Sequence, residues 1–428
     1  MADSEYRALS TVESVFAIGN VIVTFVMEAV GEINVEHFRH ALDLTTQFIP
    51  LMNAAIIYRD GQYYFVDREK SEFRFCIVEE TDPVIDSDLE FQHQLNVKLP
   101  IESHLWESRL VCGPIDPKTN VTARAKWYMT IHHVICDGAS VLKFINTLWK
   151  NYAHLVNGEE MELVERQVQP GLETLLAEHV TEGQLDDYIE LCAERQRNID
   201  APWLGDDGRA PDGDEFGFRS LVLDRATTSA FVAACKERRL TPYGGSCAVM
   251  LQAIYRSLGQ LNGPAQLVCH SAVDLRRSLP VLVNEDMLCA VGGCPVELTV
   301  DAATEVWSLA KTFSGDLRRR LKAQEPLLEI LALSKTWLQS QLPISLAATN
   351  LGSQDFGNPA GKLIFERAVF VPLVPAPIIT AAVMTIDGRM TLGFPYHRRF
   401  FRDETMERLL SSIHDGFKAA SRCAQSPR

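Results

Sequence analysis

The chain has 428 residues, about two to three times the usual domain size, so a single hydrophobic core does not organise all of it and two domains are expected. Apolar residues make up 46% and charged residues 23%, a globular balance, and the formal net charge of -15 argues against nucleic acid and anionic membrane surfaces as partners. Ten cysteines without CxxC pairs point to free thiols in a reducing compartment. The N-terminus lacks signal-peptide blocks and no apolar run reaches the roughly 18 residues of a membrane span, so the expected location is the cytoplasm.

Residues 20 to 30 are rich in β-branched side chains and predict a buried strand ending in a turn at Gly31. A helix follows with its apolar register at Val35, Phe38, Ala41, Leu42 and Thr45, and it should stop before Pro50. Ala54 to Tyr58 and Gln62 to Val66 flank Asp60-Gly61 and predict a hairpin. Ala125 to Ile131 is a second strand, leading through His132-His133-Val134-Ile135-Cys136-Asp137-Gly138 into a helical pattern at Val141, Phe144, Ile145, Leu148, Trp149 and Tyr152. The two histidines therefore sit at a strand-to-helix junction, where side chains and free backbone amides are exposed together.

An acidic helical stretch after Asn157 ends in the Gly/Asp-rich loop 204–214, where the domain boundary is expected. Beyond it a helix spans Thr227 to about Arg238, and Thr241 caps a long apolar helix running to Leu258. Strands are predicted at Gln266–Ala272, Val296–Val300, Ile344–Ala348, Arg367–Val371, Ile378–Thr385 and Met390–Phe394, with a closing helix from Glu404 to Ala419. Within the helix start, Gly244-Gly245-Ser246 lacks the second glycine of a nucleophile elbow, so Ser246 is assigned to packing. The run Arg318-Arg319-Arg320-Leu321-Lys322 reads first as a solvated helix face, with a grip on phosphates as the functional alternative.

Two adjacent histidines at a strand end are, taken alone, ordinary junction residues. The whole pattern His-His-x-x-x-Asp-Gly is more specific. Acyl transfer from a thioester needs a base to deprotonate the nucleophile and donors to hold the oxyanion, and a histidine titrating near neutrality suits the first task. Asp137-Gly138 supports a sharp turn that folds the loop back beneath His133. A metal centre needs three or four convergent ligands, which the surroundings of His104 and His270 do not supply, so no metal is expected.

With these residues in place, the chain resembles the superfamily of chloramphenicol acetyltransferase, BAHD acyltransferases and the condensation domains of nonribosomal peptide synthetases. Its standalone form looks closest to the polyketide-associated acyltransferases of actinobacteria. The resemblance begins at Ala8-Leu9-Ser10-Thr11-Val12-Glu13 and continues through Ile49-Pro50-Leu51, the signature at His132 to Gly138, and Val273-Asp274-Leu275-Arg276. The Asp-Phe-Gly-Trp-Gly motif of the plant BAHD subgroup is absent, although Gln354-Asp355-Phe356-Gly357 begins similarly.

The resemblance implies an α/β fold of two chloramphenicol-acetyltransferase-like domains, each a mixed sheet flanked by helices, with an active-site channel between them. The expected divisions are an N-terminal domain over 1–175, a linker over 176–215 and a C-terminal domain over 216–428. It implies that His133 is the catalytic base, with His132 in a supporting place and Cys136 a bystander. Asp137 is implied to pair with Arg276, or with the adjacent Arg277, and so to bring the two domains together. The Gly138 amide is a candidate oxyanion donor, and Asn350 in Thr349-Asn350-Leu351-Gly352 a candidate oxyanion or substrate contact.

The implied function is transfer of an acyl group from acyl-CoA or an acyl carrier protein to a hydroxyl, less often an amine, of a specialised metabolite or lipid. No cofactor is expected beyond the CoA- or phosphopantetheine-linked donor, which is a substrate, and the chain is expected to be a monomer. The alternatives are a condensation-domain-like enzyme performing cyclisation or other base chemistry on a carrier-bound intermediate, and a non-catalytic relative that binds a carrier protein.

Overall fold

The computed structural model describes residues 5–68, 74–79, 87–160, 166–206, 215–258, 261–279, 287–336 and 343–422. In chain order these form β1 (Glu5–Ala8), α1 (Thr11–Ile18), β2 (Ile22–Asn34), α2 (Val35–Gln47), β3 (Ala54–Arg59), β4 (Gln62–Asp67), β5 (Phe75–Glu79), α3 (Ser87–Leu95), β6 (Trp106–Cys112), β7 (Val121–His132), α4 (Gly138–Asn157) and α5 (Leu172–Leu176). Then come α6 (Glu182–Asn198), β8 (Phe216–Leu223), α7 (Arg225–Glu237), α8 (Pro242–Ser257), β9 (Ala265–Asp274), β10 (Val291–Val300), α9 (Val306–Lys322) and α10 (Glu325–Thr336). The chain closes with β11 (Leu346–Gln354), β12 (Leu363–Pro372), β13 (Ile379–Ile386), β14 (Arg389–His397) and α11 (Asp403–Arg422). Among the described residues no helix is long and apolar enough to cross a membrane.

The chain divides into two compact units, and neither is continuous in sequence. The first comprises Met1–Leu176, Arg276–Ala290 and Gln354–Pro372; the second comprises Ala177–Leu275, Val291–Ser353 and Leu373–Arg428. This differs from the sequence-based division in two respects. Two segments from the second half of the chain fold into the first unit. The stretch expected as a linker contains α6, which starts with a capping box between Thr181 and Gln184 and is tied to α10 of its own unit by the Arg195–Glu325 ion pair at 2.7 Å. Residues 207–214 of the Gly/Asp-rich loop lie outside the described residues.

In the first unit a five-stranded sheet has the order β12-β2-β7-β6-β5, antiparallel except for the β5–β6 pair, beside a three-stranded sheet of order β1-β4-β3. The period-2 alternation along β7 sends Trp127 to the face covered by α2 and α4. There it makes edge contacts with Phe38 and Trp149, at centroid distances of 5.4 and 6.1 Å. Each such aromatic pair adds about 0.5–1.5 kcal/mol beyond its area burial. The α2 register follows the sequence pattern, burying Val35, Phe38, Ala41, Leu42 and Thr45. Its start is capped by Asn34, whose Oδ1 accepts from the amides of Glu36 at 3.1 Å and His37 at 2.9 Å. The β3–β4 hairpin turns at Asp60 and Gly61, both at positive φ.

β12 enters this sheet from late in the chain because β2 offers it a free edge, and the two pair from Leu363↔Gly31 to Pro372↔Val23. Gly31 therefore does not end the strand. β2 continues through it as a local irregularity of register, and Gly31 has φ 124° with the Lys362 carbonyl where a Cβ would stand.

The second unit is built on a six-stranded sheet of order β10-β9-β11-β13-β14-β8. Its apolar core includes Phe231, Phe313, Phe394 and Phe417, with Phe231 set edge-on against Phe417 at 4.8 Å. Thr241 caps α8 by accepting from the Gly244 amide at 3.1 Å, and Ser246 is buried inside that helix. The basic run falls on α9. Arg320 is not solvated but buried and paired with Glu297, while Arg318, Arg319 and Lys322 are exposed.

Gly31→Ala should destabilise the protein by about 1–3 kcal/mol, since alanine must hold a sparsely populated positive φ and meets a carbonyl. A denaturant midpoint equal to that of the wild type would show that the β2–β12 pairing does not need glycine there.

Candidate active site

The signature sits where the first sheet hands over to α4. Ile22↔His132 is the last β2–β7 pair, and the chain then leaves the sheet in one 3-10 turn, His133–Ile135, before α4 begins at Gly138. The His133 amide donates to the Val21 carbonyl at 2.8 Å, so its backbone is moored to the start of β2. Its imidazole stacks on Phe16, with centroids 5.0 Å apart and planes 15° from parallel. Phe16 is held by α1, whose capping box between Ser10 and Glu13 is reinforced by two Arg7–Glu13 hydrogen bonds at 2.7 Å.

Asp137 is the N-cap of α4 and one of the most constrained side chains in the unit. Its Oδ1 accepts from the Ser140 amide at 2.9 Å and the Ser140 hydroxyl at 3.1 Å. Its Oδ2 accepts from Arg276 Nη1 at 2.5 Å and from the Ala290 amide at 2.7 Å. The carboxylate and the guanidinium are both 4% exposed. A buried charge needs a partner and satisfied lone pairs, and this one has both. Arg276 Nη2 also donates to the Leu288 carbonyl at 2.8 Å, so the pair closes the 276–290 segment against the start of α4. Arg277 is exposed. Both Asp137 and Arg276 belong to the first unit, so the pair does not join two domains as expected from the sequence; it inserts a late segment of the chain into the early one.

The two histidines have different environments. His132 is fully buried, its Nδ1 accepts from the Val134 amide at 3.2 Å, and its Nε2 meets no hydrogen-bond partner among the described residues. Burial, together with the neighbouring His133, pushes its pKa down to about 3. His133 is half-buried. Burial lowers its pKa, and its own carbonyl, the Asp137 carboxylate and the Cys136 carbonyl offset part of that. Its Nδ1 lies 3.4 Å from Cys289 Sγ. The Cys136 thiol donates to the His132 carbonyl at 3.6 Å and is pushed well above its ordinary range, chiefly by burial, which leaves it a poor nucleophile.

His132, His133, Asp137, Gly138 and Arg276 thus come together in one unit. Asn350 does not join them there. It lies on β11 of the second unit, exposed, with Oδ1 accepting from the Gly352 amide at 2.8 Å in a local turn. His104 and His270 are engaged with Glu107 at 2.9 Å and Glu329 at 3.0 Å. Phe16, Ser140 and Cys289 were not singled out by the sequence. Ser10-x-x-Glu13 is a legible capping box that announces α1 and hence Phe16. No local pattern announces Cys289.

Residues 212–395 match the family model described as phthiocerol/phthiodiolone dimycocerosyl transferase C-terminus. No curated protein matches the chain by sequence. Among solved structures, polyketide synthase associated protein 5 from Mycobacterium tuberculosis is similar at 17% identity and TM-score 0.76, over 98% of this chain and 100% of that one. Trichothecene 15-O-acetyltransferase from Fusarium sporotrichioides is similar at 15% identity and TM-score 0.76, over 97% and 94% of the two chains. The epimerization domain from the third module of tyrocidine synthetase B is similar at 16% identity and TM-score 0.69, over 100% and 99%. At these identities the structural likeness is one of fold. It spans the whole chain and, with the family-model match, bears out the resemblance to the acetyltransferase and condensation-domain superfamily.

Asp137→Ala should cost about 3–5 kcal/mol, because it leaves a buried guanidinium without its counter-charge. The Asp137→Ala/Arg276→Ala double variant should lose less than the sum of the singles, a coupling of at least about 1 kcal/mol. Additive losses in denaturant unfolding would mean that the pair contributes nothing as a pair. Stability should also depend on pH through His132. The folded state disfavours its protonation, so the contribution is complete above the unfolded value of 6.5 and is lost as pH falls towards 3. The loss amounts to about 2 kcal/mol by pH 5. Against His132→Gln, the wild type should show the steeper fall between pH 6.5 and 5; parallel curves would refute this origin.

Proposed function

We propose that the protein is an acyltransferase that moves an acyl group from a thioester, acyl-CoA or an acyl carrier protein, to a hydroxyl of a specialised metabolite or lipid, and less often to an amine. The observation that carries this reading is His133 itself: a half-buried imidazole, disfavoured as a cation, fixed at the start of α4 by its backbone and by Phe16. A neutral imidazole of this kind is a general base at physiological pH.

In the proposed reaction His133 Nε2 takes the proton of the acceptor hydroxyl and the oxygen attacks the thioester carbonyl. The tetrahedral oxyanion collapses, the carbon–sulfur bond breaks, and the departing thiolate recovers the proton from the imidazolium. The Gly138 amide, at the first position of α4, is the proposed donor to the oxyanion. The family model is named for a dimycocerosyl transferase and one structural neighbour for an O-acetyltransferase; both names support transfer of an acyl group, and the second supports its delivery to oxygen. A location in the cytoplasm and a monomeric state belong to the same reading.

The test is purified protein supplied with acyl-CoA or acyl carrier protein and a panel of alcohols and amines. New ester that depends on the acceptor supports the proposal. Rearrangement of a carrier-bound substrate without transfer would replace it with the base chemistry suggested by the epimerization-domain neighbour, and carrier binding with no turnover would make the protein a docking relative. His133→Ala should lower turnover by about 10²–10⁴-fold while leaving the melting temperature within a few degrees of wild type. Because burial lowers the His133 pKa, the acidic limb of kcat/KM should fall below pH 6.5, the ordinary histidine value. A limb above pH 7 would assign the proton transfer to another group.

A further inference from the structure

A buried nucleophile left unused by that mechanism touches the base. Cys289 is 4% exposed, and its Sγ lies 3.4 Å from His133 Nδ1. Its position is tightly determined. The preceding residue, Leu288, gives its carbonyl to Arg276 Nη2 at 2.8 Å and to the Ser140 hydroxyl at 3.4 Å. The following residue, Ala290, gives its amide to Asp137 Oδ2 at 2.7 Å. The ion pair that organises the signature loop therefore also clamps the peptide units on both sides of the thiol. With Phe16 against one face of the ring and the sulfur at the Nδ1 end, two independent contacts fix the imidazole's plane and rotation.

The carbonyls of His133 and Cys136 are acceptors for the ring, and the sulfur beside Nδ1 is an acceptor whenever that nitrogen carries the proton. Acceptors around one ring nitrogen retain the proton there and leave the lone pair on the other. We propose that Cys289 is a positioning residue for His133, its sulfur accepting from Nδ1–H and so holding the tautomer whose lone pair is at Nε2. This is the place an aspartate takes behind the histidine of a serine protease triad. A thiol there orients the ring without adding negative charge. The titratable and charged groups around the ring are His132, Cys136, Asp137 and Cys289, with Arg276 behind Asp137.

The inference rests on the acyl-transfer reading only where activity is measured. Nitrogen-15 spectra of histidine-labelled protein, with His133 assigned by its loss in His133→Ala, report the tautomer without any substrate. Wild type and Cys289→Ser should show His133 predominantly protonated at Nδ1, and Cys289→Ala a mixture of tautomers. With an acyl donor and acceptor, Cys289→Ala should lower kcat by about tenfold with KM within about twofold of wild type, and Cys289→Ser should recover most of the loss. Cys289→Asp should move the acidic limb of the pH profile upward by about one unit or more, as a carboxylate beside the ring favours its charged form. An unchanged His133 tautomer in Cys289→Ala, or a pH limb unmoved in a folded Cys289→Asp protein, overturns the proposal. If no transfer is found with any donor, the spectra still decide the tautomer.

Discussion

A carboxylate and a guanidinium taken out of water together are costly unless every exposed lone pair and proton finds a partner, and Asp137 and Arg276 meet that demand by recruiting their surroundings. Two donors come from Ser140 in the first turn of α4, one from Arg276 and one from the Ala290 amide. The requirement to satisfy one buried charge thereby determines where a helix begins, where a segment from residue 276 onward must lie, and which side chain reaches the ring of His133. The local geometry of the site is the by-product of solving an electrostatic problem.

The adjacent histidines show how burial divides labour between identical side chains. His132 points into the packed sheet and spends its Nδ1 on the turn that follows, so it behaves as a structural acceptor. His133, one residue on and past the sheet, keeps part of its surface open. The neighbouring His133 also opposes protonation of His132, which adds to burial in keeping His132 neutral.

How much of this was legible in the sequence follows from the range of the interactions. The α2 register, the Asp60-Gly61 hairpin and the strand-to-helix setting of the signature depend on contacts within a few residues, and all were readable from periodicity and turn chemistry. Gly31 was misread as a turn because positive φ serves a strand irregularity as well as it serves a strand end. The basic run on α9 looked uniformly solvated because sequence alone does not show that Arg320 faces Glu297. Cys289 meets a ring 156 residues away, and the 276–290 and 354–372 segments cross into a unit whose other residues were complete long before. No local propensity encodes such separations; only the family resemblance hinted at Arg276.

The discontinuity of the first unit also has a consequence in time. Asp137 leaves the ribosome 139 residues ahead of Arg276, an interval of about 7–28 s at ordinary elongation rates. During it the carboxylate has no counter-ion and remains hydrated, and the loop carrying His133 waits unassembled. The edge of β2 that β12 later covers stays open for longer still. A nascent chain of this protein therefore carries its signature exposed and unorganised until most of its length has been made, and the open edge makes that interval its period of greatest exposure to aggregation and to chaperones.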